Sequence, residues 1–136
     1  MNDILMGRNS VKRLAGILLL GLIAFLLAGC GNASVFDGSK AANETGFQME
    51  YSILNKEETA DLKLSEGEQL RVIFSHTAGN VDVTVGQDGK EPIYRGTKQD
   101  NAEFVLMIPE SGVYHISVTG HQAKGKVSFT RIPAAE

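Results

Sequence analysis

Apolar and polar residues alternate with a period of two through most of the chain after residue 46. In 47-FQMEYSIL-54, Phe47, Met49, Tyr51 and Ile53 fall on one side and Gln48, Glu50 and Ser52 on the other, which is the pattern of a strand with one buried face. The device repeats in 59-TADLKL-64, in 69-QLRVIFS-75 with Leu70, Val72 and Phe74, and in 80-NVDVTVG-86 with Val81, Val83 and Val85. A short strand around 92-PIYRG-96 follows, Pro92 suiting a first position because it lacks a ladder donor. Then 102-AEFVLMI-108 places Phe104, Leu106 and Ile108 inward, and 113-VYHISVT-119 and 125-GKVSFTRI-132 form a last pair joined by 120-GHQAK-124. Between these runs, 65-SEGE-68 and 87-QDGK-90 have turn composition. About eight short strands at even spacing, with intervals too short for crossover helices, predict an all-β, antiparallel β-sandwich or barrel over 47–133.

The N-terminal pattern is different. A basic cluster, Arg8, Lys12 and Arg13, precedes an uncharged run from Leu14 to Ala28. That run has the length of a signal-peptide core and falls short of the ~20 residues that span a bilayer. Residues 1–29 are therefore set apart from the fold as a signal segment, with Met1 and Met6 both open as starts.

The run ends in 27-LAGC-30, an aliphatic residue and two small ones before the only cysteine of the chain. This resembles the lipobox of bacterial lipoproteins. The resemblance implies cleavage between Gly29 and Cys30 by a lipoprotein signal peptidase, and a diacylglycerol thioether on Cys30, which becomes the mature N-terminus. A thiol is the nucleophile such an alkylation needs, and two acyl chains anchor stably where one is marginal. The implied address is the cell membrane, lipid-anchored and facing the extracellular side. In a cell with two membranes it is the outer membrane or periplasm, since Gly31 carries no acidic retention signal.

The stretch 31-GNASVFDGSKAANETG-46 is rich in Gly, Ala, Ser and Asn, and together with Cys30 it reads as a flexible tether over 30–46. The alternative is that Val35 and Phe36 open a first edge strand. With no second cysteine the mature domain has no internal disulfide, so its roughly 107 residues must fold on their core alone. From Cys30 onward the chain has 10 Lys/Arg against 15 Asp/Glu, a net of −5. This balance excludes nucleic acid as a partner by charge and gives no polybasic grip on anionic lipid.

A second resemblance sits at 108-IPESGVYHISVTG-120. Its Pro-x-x-Gly-x-Tyr-x-Ile-x-Val pattern is similar to the closing strand of jelly-roll domains attached to secreted bacterial enzymes, such as pre-peptidase C-terminal domains and carbohydrate-binding modules. The resemblance implies that Gly112 admits the chain to the strand and that Tyr114, Ile116 and Val118 face the core.

Chemistry is sparse. No Gly-x-Ser-x-Gly, His-Glu-x-x-His, Walker or Cys-x-x-Cys pattern is present, so no enzyme activity and no cofactor are expected. His76, His115 and His121 read as solvated surface side chains rather than metal ligands, because no Cys or acidic partner pattern accompanies them. Asp82, Asp88, Asp100 and Asn101 lie near turns but lack the spacing of a calcium loop, and no metal site is assigned. The chain has no Trp, and Tyr51 and Tyr114 carry inward parity, which leaves Tyr94 as the exposed ring. Tyr94 and His115 are therefore the candidate ligand-binding residues. The expected function is non-enzymatic binding to an envelope protein or polysaccharide by a membrane-anchored domain; the alternative is a small-ligand or carbohydrate-binding module.

Overall fold

The computed structural model describes residues 33–135, and the signal segment, Gly29 and Cys30 lie outside them. Seven strands form: β1 (Phe36–Asn43), β2 (Gly46–Leu54), β3 (Glu57–Leu64), β4 (Gln69–Gly86), β5 (Tyr94–Gln99), β6 (Ala102–Met107) and β7 (Gly112–Ile132). Every pairing is antiparallel. No helix occurs among the described residues.

Two long strands organise the rest. β4 and β7 pair along their whole length, from Gln69↔Ile132 to Gly86↔His115, as one ribbon. Register shifts between His76 and Ala78 and between Ala78 and Asn80 mark a corner in that ribbon. Bulges of this kind let a strand leave one sheet and enter another. At the corner Gly79 has φ 65° and Gln122 has φ 48°. A Cβ on Gly79 would lie 2.3 Å from the Gln122 carbonyl oxygen, so the two strands approach as only glycine allows.

On one side of the corner lies sheet I, ordered β1–β2–β7–β4–β6; on the other lies sheet II, ordered β3–β7–β4–β5. The consecutive strands β2 and β3, and again β5 and β6, go to different sheets on either side of the shared ribbon. That winding is the strand order of a jelly roll, so the fold is the expected all-β antiparallel sandwich.

One core joins the sheets. Phe47, Met49 and Tyr51 from β2, Leu62 and Leu64 from β3, and alternating residues of β4 and β7 are all buried in a single cluster. Phe129 stacks on Phe47 at 5.8 Å and meets Phe74 edge-on at 6.0 Å. Such aromatic pairs add about 0.5–1.5 kcal/mol each beyond the area they bury. Where a sheet end meets the core, Arg131 holds Glu68 through both carboxylate oxygens, Nη2 to Oε1 at 2.6 Å, and keeps the Glu68 carboxyl below its ordinary range.

Three expectations are corrected. The segment 36–43 is a strand rather than part of a tether, and β2 begins at Gly46. Only Phe36 of β1 packs on the core, edge-on to Tyr51 at 6.5 Å, and the rest is exposed; the strand adds to the free edge of β2 through backbone bonds, and Asn43 Oδ1 closes the hairpin by accepting from Thr45 N at 2.8 Å. Second, 69–75 with 80–86, and 113–119 with 125–132, are each one bent strand rather than two. Third, a register shift after Tyr51 breaks the alternation, so Leu54 is buried where Ile53 was expected.

Candidate functional site

The two residues singled out from sequence are not brought together. Tyr94 pairs with Val85, which pairs with Ile116, and directly opposed residues share a face of an antiparallel sheet. Val85 and Ile116 are buried, so Tyr94 points inward; its ring rests against Phe104 at 4.7 Å and its phenol lies over Gly96. His115 pairs with Gly86 and occupies the outer face. Tyr94 is thus half-buried packing rather than the exposed ring that elimination among the tyrosines left, because 92-PIYRG-96 is too short to show its parity.

His115 sits in a row of polar side chains on the outer face of sheet II. Its Nδ1 binds Asp61, and its Nε2 lies 3.1 Å from Asp88. The Asp61 carboxylate, with Asp88 behind it, raises the His115 pKa above its ordinary value. Ser117 donates to Glu57 at 3.0 Å, and His121 meets Asp82 at 2.8 Å. Asp82 also accepts from Lys98 N at 2.8 Å, the chief reason its carboxyl lies below the ordinary range. Asp100 binds the amide of Asn101, and Asn101 Oδ1 accepts from His76 N. The acids considered for calcium are therefore engaged with neighbouring protein groups. Among the described residues no group of three or more His, Cys, Asp or Glu is arranged to hold a metal ion.

His76 is the second correction at this level, since it is buried rather than solvated, only 7% exposed. Its Nδ1 lies 2.6 Å from the Asp100 carbonyl oxygen, which can only accept, so Nδ1 carries the proton and Nε2 accepts from the Tyr51 hydroxyl at 2.5 Å. The two rings stack at 5.6 Å. Burial pushes the Tyr51 phenol far above the usual tyrosine range. Position 76 has the inward parity of Val72 and Phe74, a signal that the presence of an imidazole at a strand end obscured.

Directly over this pair, on the outer face of sheet I, lies an open groove of about 640 Å³. It crosses β1, β2, β7 and β4 just before the corner. Its floor follows the cross-strand row Gly38–Tyr51–Gly125–His76, in which no side chain points outward. A Cβ at Gly125 would lie 2.0 Å from the Ser75 carbonyl oxygen, and one at Gly38 would lie 2.1 Å from that of Glu50. Glycine at both places keeps the floor low.

Two polar rows wall the groove. One is the cross-strand row Ser39–Glu50–Lys126–Ser75; the other holds Asp37, Ser52, Lys124 and Thr77. Ser52 donates to Asp37 at 2.8 Å, and Thr77 reaches the Lys124 carbonyl at 3.5 Å. The side chains of Ser39, Glu50, Ser75, Lys124 and Lys126 have no hydrogen-bond or ion-pair partner among the described residues. A smaller depression of about 320 Å³ continues the groove along Ala41, Gln48, Ile73 and Ser128. None of these residues forms a motif. Only the strand register and the corner assemble them.

No protein-family model and no curated protein matches the chain. Among solved structures, it is similar to the Drosophila melanogaster CENP-C cupin domain, with a TM-score of 0.37 and 10% sequence identity over 74% of this chain and 81% of that one. A second structure of that domain gives a TM-score of 0.37 and 11% identity over 74% and 78%. The superposition is loose, and the jelly-roll order of this chain stands on its own strand pairing.

Proposed function

We propose that the protein is a lipid-anchored envelope protein whose β-sandwich binds a protein or polymer partner without chemistry of its own, through the groove on sheet I. The observation that carries this reading is that five polar side chains without partners among the described residues converge on one concavity, the groove over the corner of sheet I. Exposed donors and acceptors gathered around a concavity are free to exchange water for the polar groups of a ligand. The core is filled by large side chains, so binding falls to the surface.

The anchor rests on 27-LAGC-30 and the uncharged run before it. Together with β1 it shortens the tether: five residues, 31–35, separate Cys30 from Phe36. At ~3.6 Å per fully extended residue, the first residue of β1 can stand no more than about 22 Å from Cys30. The partner is thus a component met close to the membrane surface.

Two experiments test the proposal. Labelled fatty acid should be incorporated by the full chain and not by Cys30→Ala; continued labelling and processing of the variant refute the anchor. The full chain in detergent should be retained by an envelope fraction, with Lys126→Ala reducing retention at least tenfold and Asp61→Asn leaving it unchanged. Retention indifferent to Lys126 refutes the groove as the contact.

A further inference from the structure

We infer that the ligand of the groove is a neutral, hydroxyl-rich glycan chain lying across the strands; this rests on the groove being the binding surface. The first ground is charge. Asp37 and Glu50 balance Lys124 and Lys126, so the walls carry no net formal charge although each is strongly polar. A polyanion or a polycation would meet as much repulsion as attraction there, and charge complementarity selects against both.

The second ground is the kind of polar group. A sugar hydroxyl both donates and accepts, and it is best met by a surface offering both functions within reach. Lysine ammonium groups only donate, ionised carboxylates only accept, and serine hydroxyls do either. The row Ser39–Glu50–Lys126–Ser75 presents these in succession, one on each of four adjacent strands. Its four strands span about 14 Å at the usual ~4.8 Å spacing, room for a short run of sugar rings.

The third ground is direction. The groove runs across the strands, and at its centre the backbone of β2 and β7 is paired on both sides; the free edge of β1 lies at one end and runs at right angles to the groove, so a peptide adding to that edge would not fill it. Its floor is low because Gly38 and Gly125 bear no side chains, and the aliphatic stems of Lys124 and Lys126 flank it. Those stems give a sugar's C–H face an apolar surface while their charged heads remain at the rim.

The test uses the full chain in detergent, mixed with suspensions of chitin, cellulose and a β-1,3-glucan, with heparin–agarose as the polyanion arm. The inference expects retention on at least one neutral polysaccharide, changed less than twofold between low and 0.5 M salt. It expects a loss of at least tenfold in Glu50→Gln and in Lys126→Ala, and none in Asp61→Asn. No retention on any neutral polysaccharide overturns it, as does retention on heparin alone or retention indifferent to both groove substitutions. The inference and the reading beneath it fail differently. If an envelope fraction still captures the protein through Lys126 while every neutral polysaccharide fails to bind or compete, the groove stands as a binding surface and the glycan does not.

Discussion

On the outer face of sheet II three sets of polar side chains bridge neighbouring strands, His115 with Asp61 and Asp88, Ser117 with Glu57, and His121 with Asp82, while Thr59, Lys63 and Arg95 stand apart on an even surface. Over the corner of sheet I the same residue types stand around a groove, and five of them have no partner among the described residues. The difference comes from the backbone. Sheet II presents a regular grid in which neighbouring strands hold opposite charges side by side. In sheet I the row beneath the groove carries Gly38 and Gly125, and its two large side chains, Tyr51 and His76, turn inward to each other. Composition alone therefore does not separate the even face from the grooved one; the registers do.

The largest effect should come from raising the floor of the groove. Gly125→Val places a Cβ within 2.0 Å of the Ser75 carbonyl oxygen at φ 150°, and urea unfolding should show a loss of about 3 kcal/mol or more. Gly89 also has positive φ, 73°, but its turn leaves open space around a Cβ; Gly89→Ala should cost only about 1 kcal/mol. Equal losses at the two positions would remove the claim that close strand approach shapes the groove.

Next comes the pair beneath that floor. Tyr51→Phe leaves the Nε2 acceptor of His76 buried without its donor, at a cost of about 1–3 kcal/mol. The Tyr51 phenol stays neutral in the fold at pH values where an unfolded tyrosine ionises, near ~10. Its contribution to stability is full below that pH and is lost as pH rises toward the raised folded value. Unfolding curves at pH 8 and pH 10.5 should therefore diverge more for the wild type than for Tyr51→Phe; identical divergence would deny the buried phenol its role.

Sheet II offers a milder contrast. Asp61 is the main cause of the raised His115 pKa, so the stabilisation from that pair is present below 6.5 and fades as pH rises through the folded value. In NMR titration His115 should have its midpoint above 6.5, and Asp61→Asn should bring it back toward that value. The smallest effect on stability belongs to the groove walls. Glu50→Gln and Lys126→Ala break no internal contact and should each change unfolding free energy by no more than about 0.5 kcal/mol while reducing envelope retention tenfold. A large stability loss in either would place it among the structural residues.

What the sequence conveyed follows from what makes each part. Strands that bury one face must alternate, so β2, β3, β6 and both halves of β4 and β7 were legible from Phe47 onward. β1 packs only Phe36 on the core, is held mainly by backbone bonds to β2, and so carries no periodic trace. The corner leaves no signal of its own because 76-HTAG-79 and 120-GHQAK-124 have the composition of loops between separate strands. His76 ends an alternating run on an inward position and Tyr94 lies in a run too short to show its parity: one is satisfied by Tyr51 and the Asp100 carbonyl, the other packed on Phe104. The groove residues come from four strands up to 89 positions apart, Asp37 to Lys126, and nothing in local sequence draws them together.

The most direct measurement is amide hydrogen exchange of the full chain with and without the envelope fraction that retains it. The two-face account predicts slowed exchange at 37–39, 50–52 and 124–126, with residues 57–61 and 115–119 of sheet II unchanged. Slowing confined to sheet II, or spread equally over both faces, would contradict it.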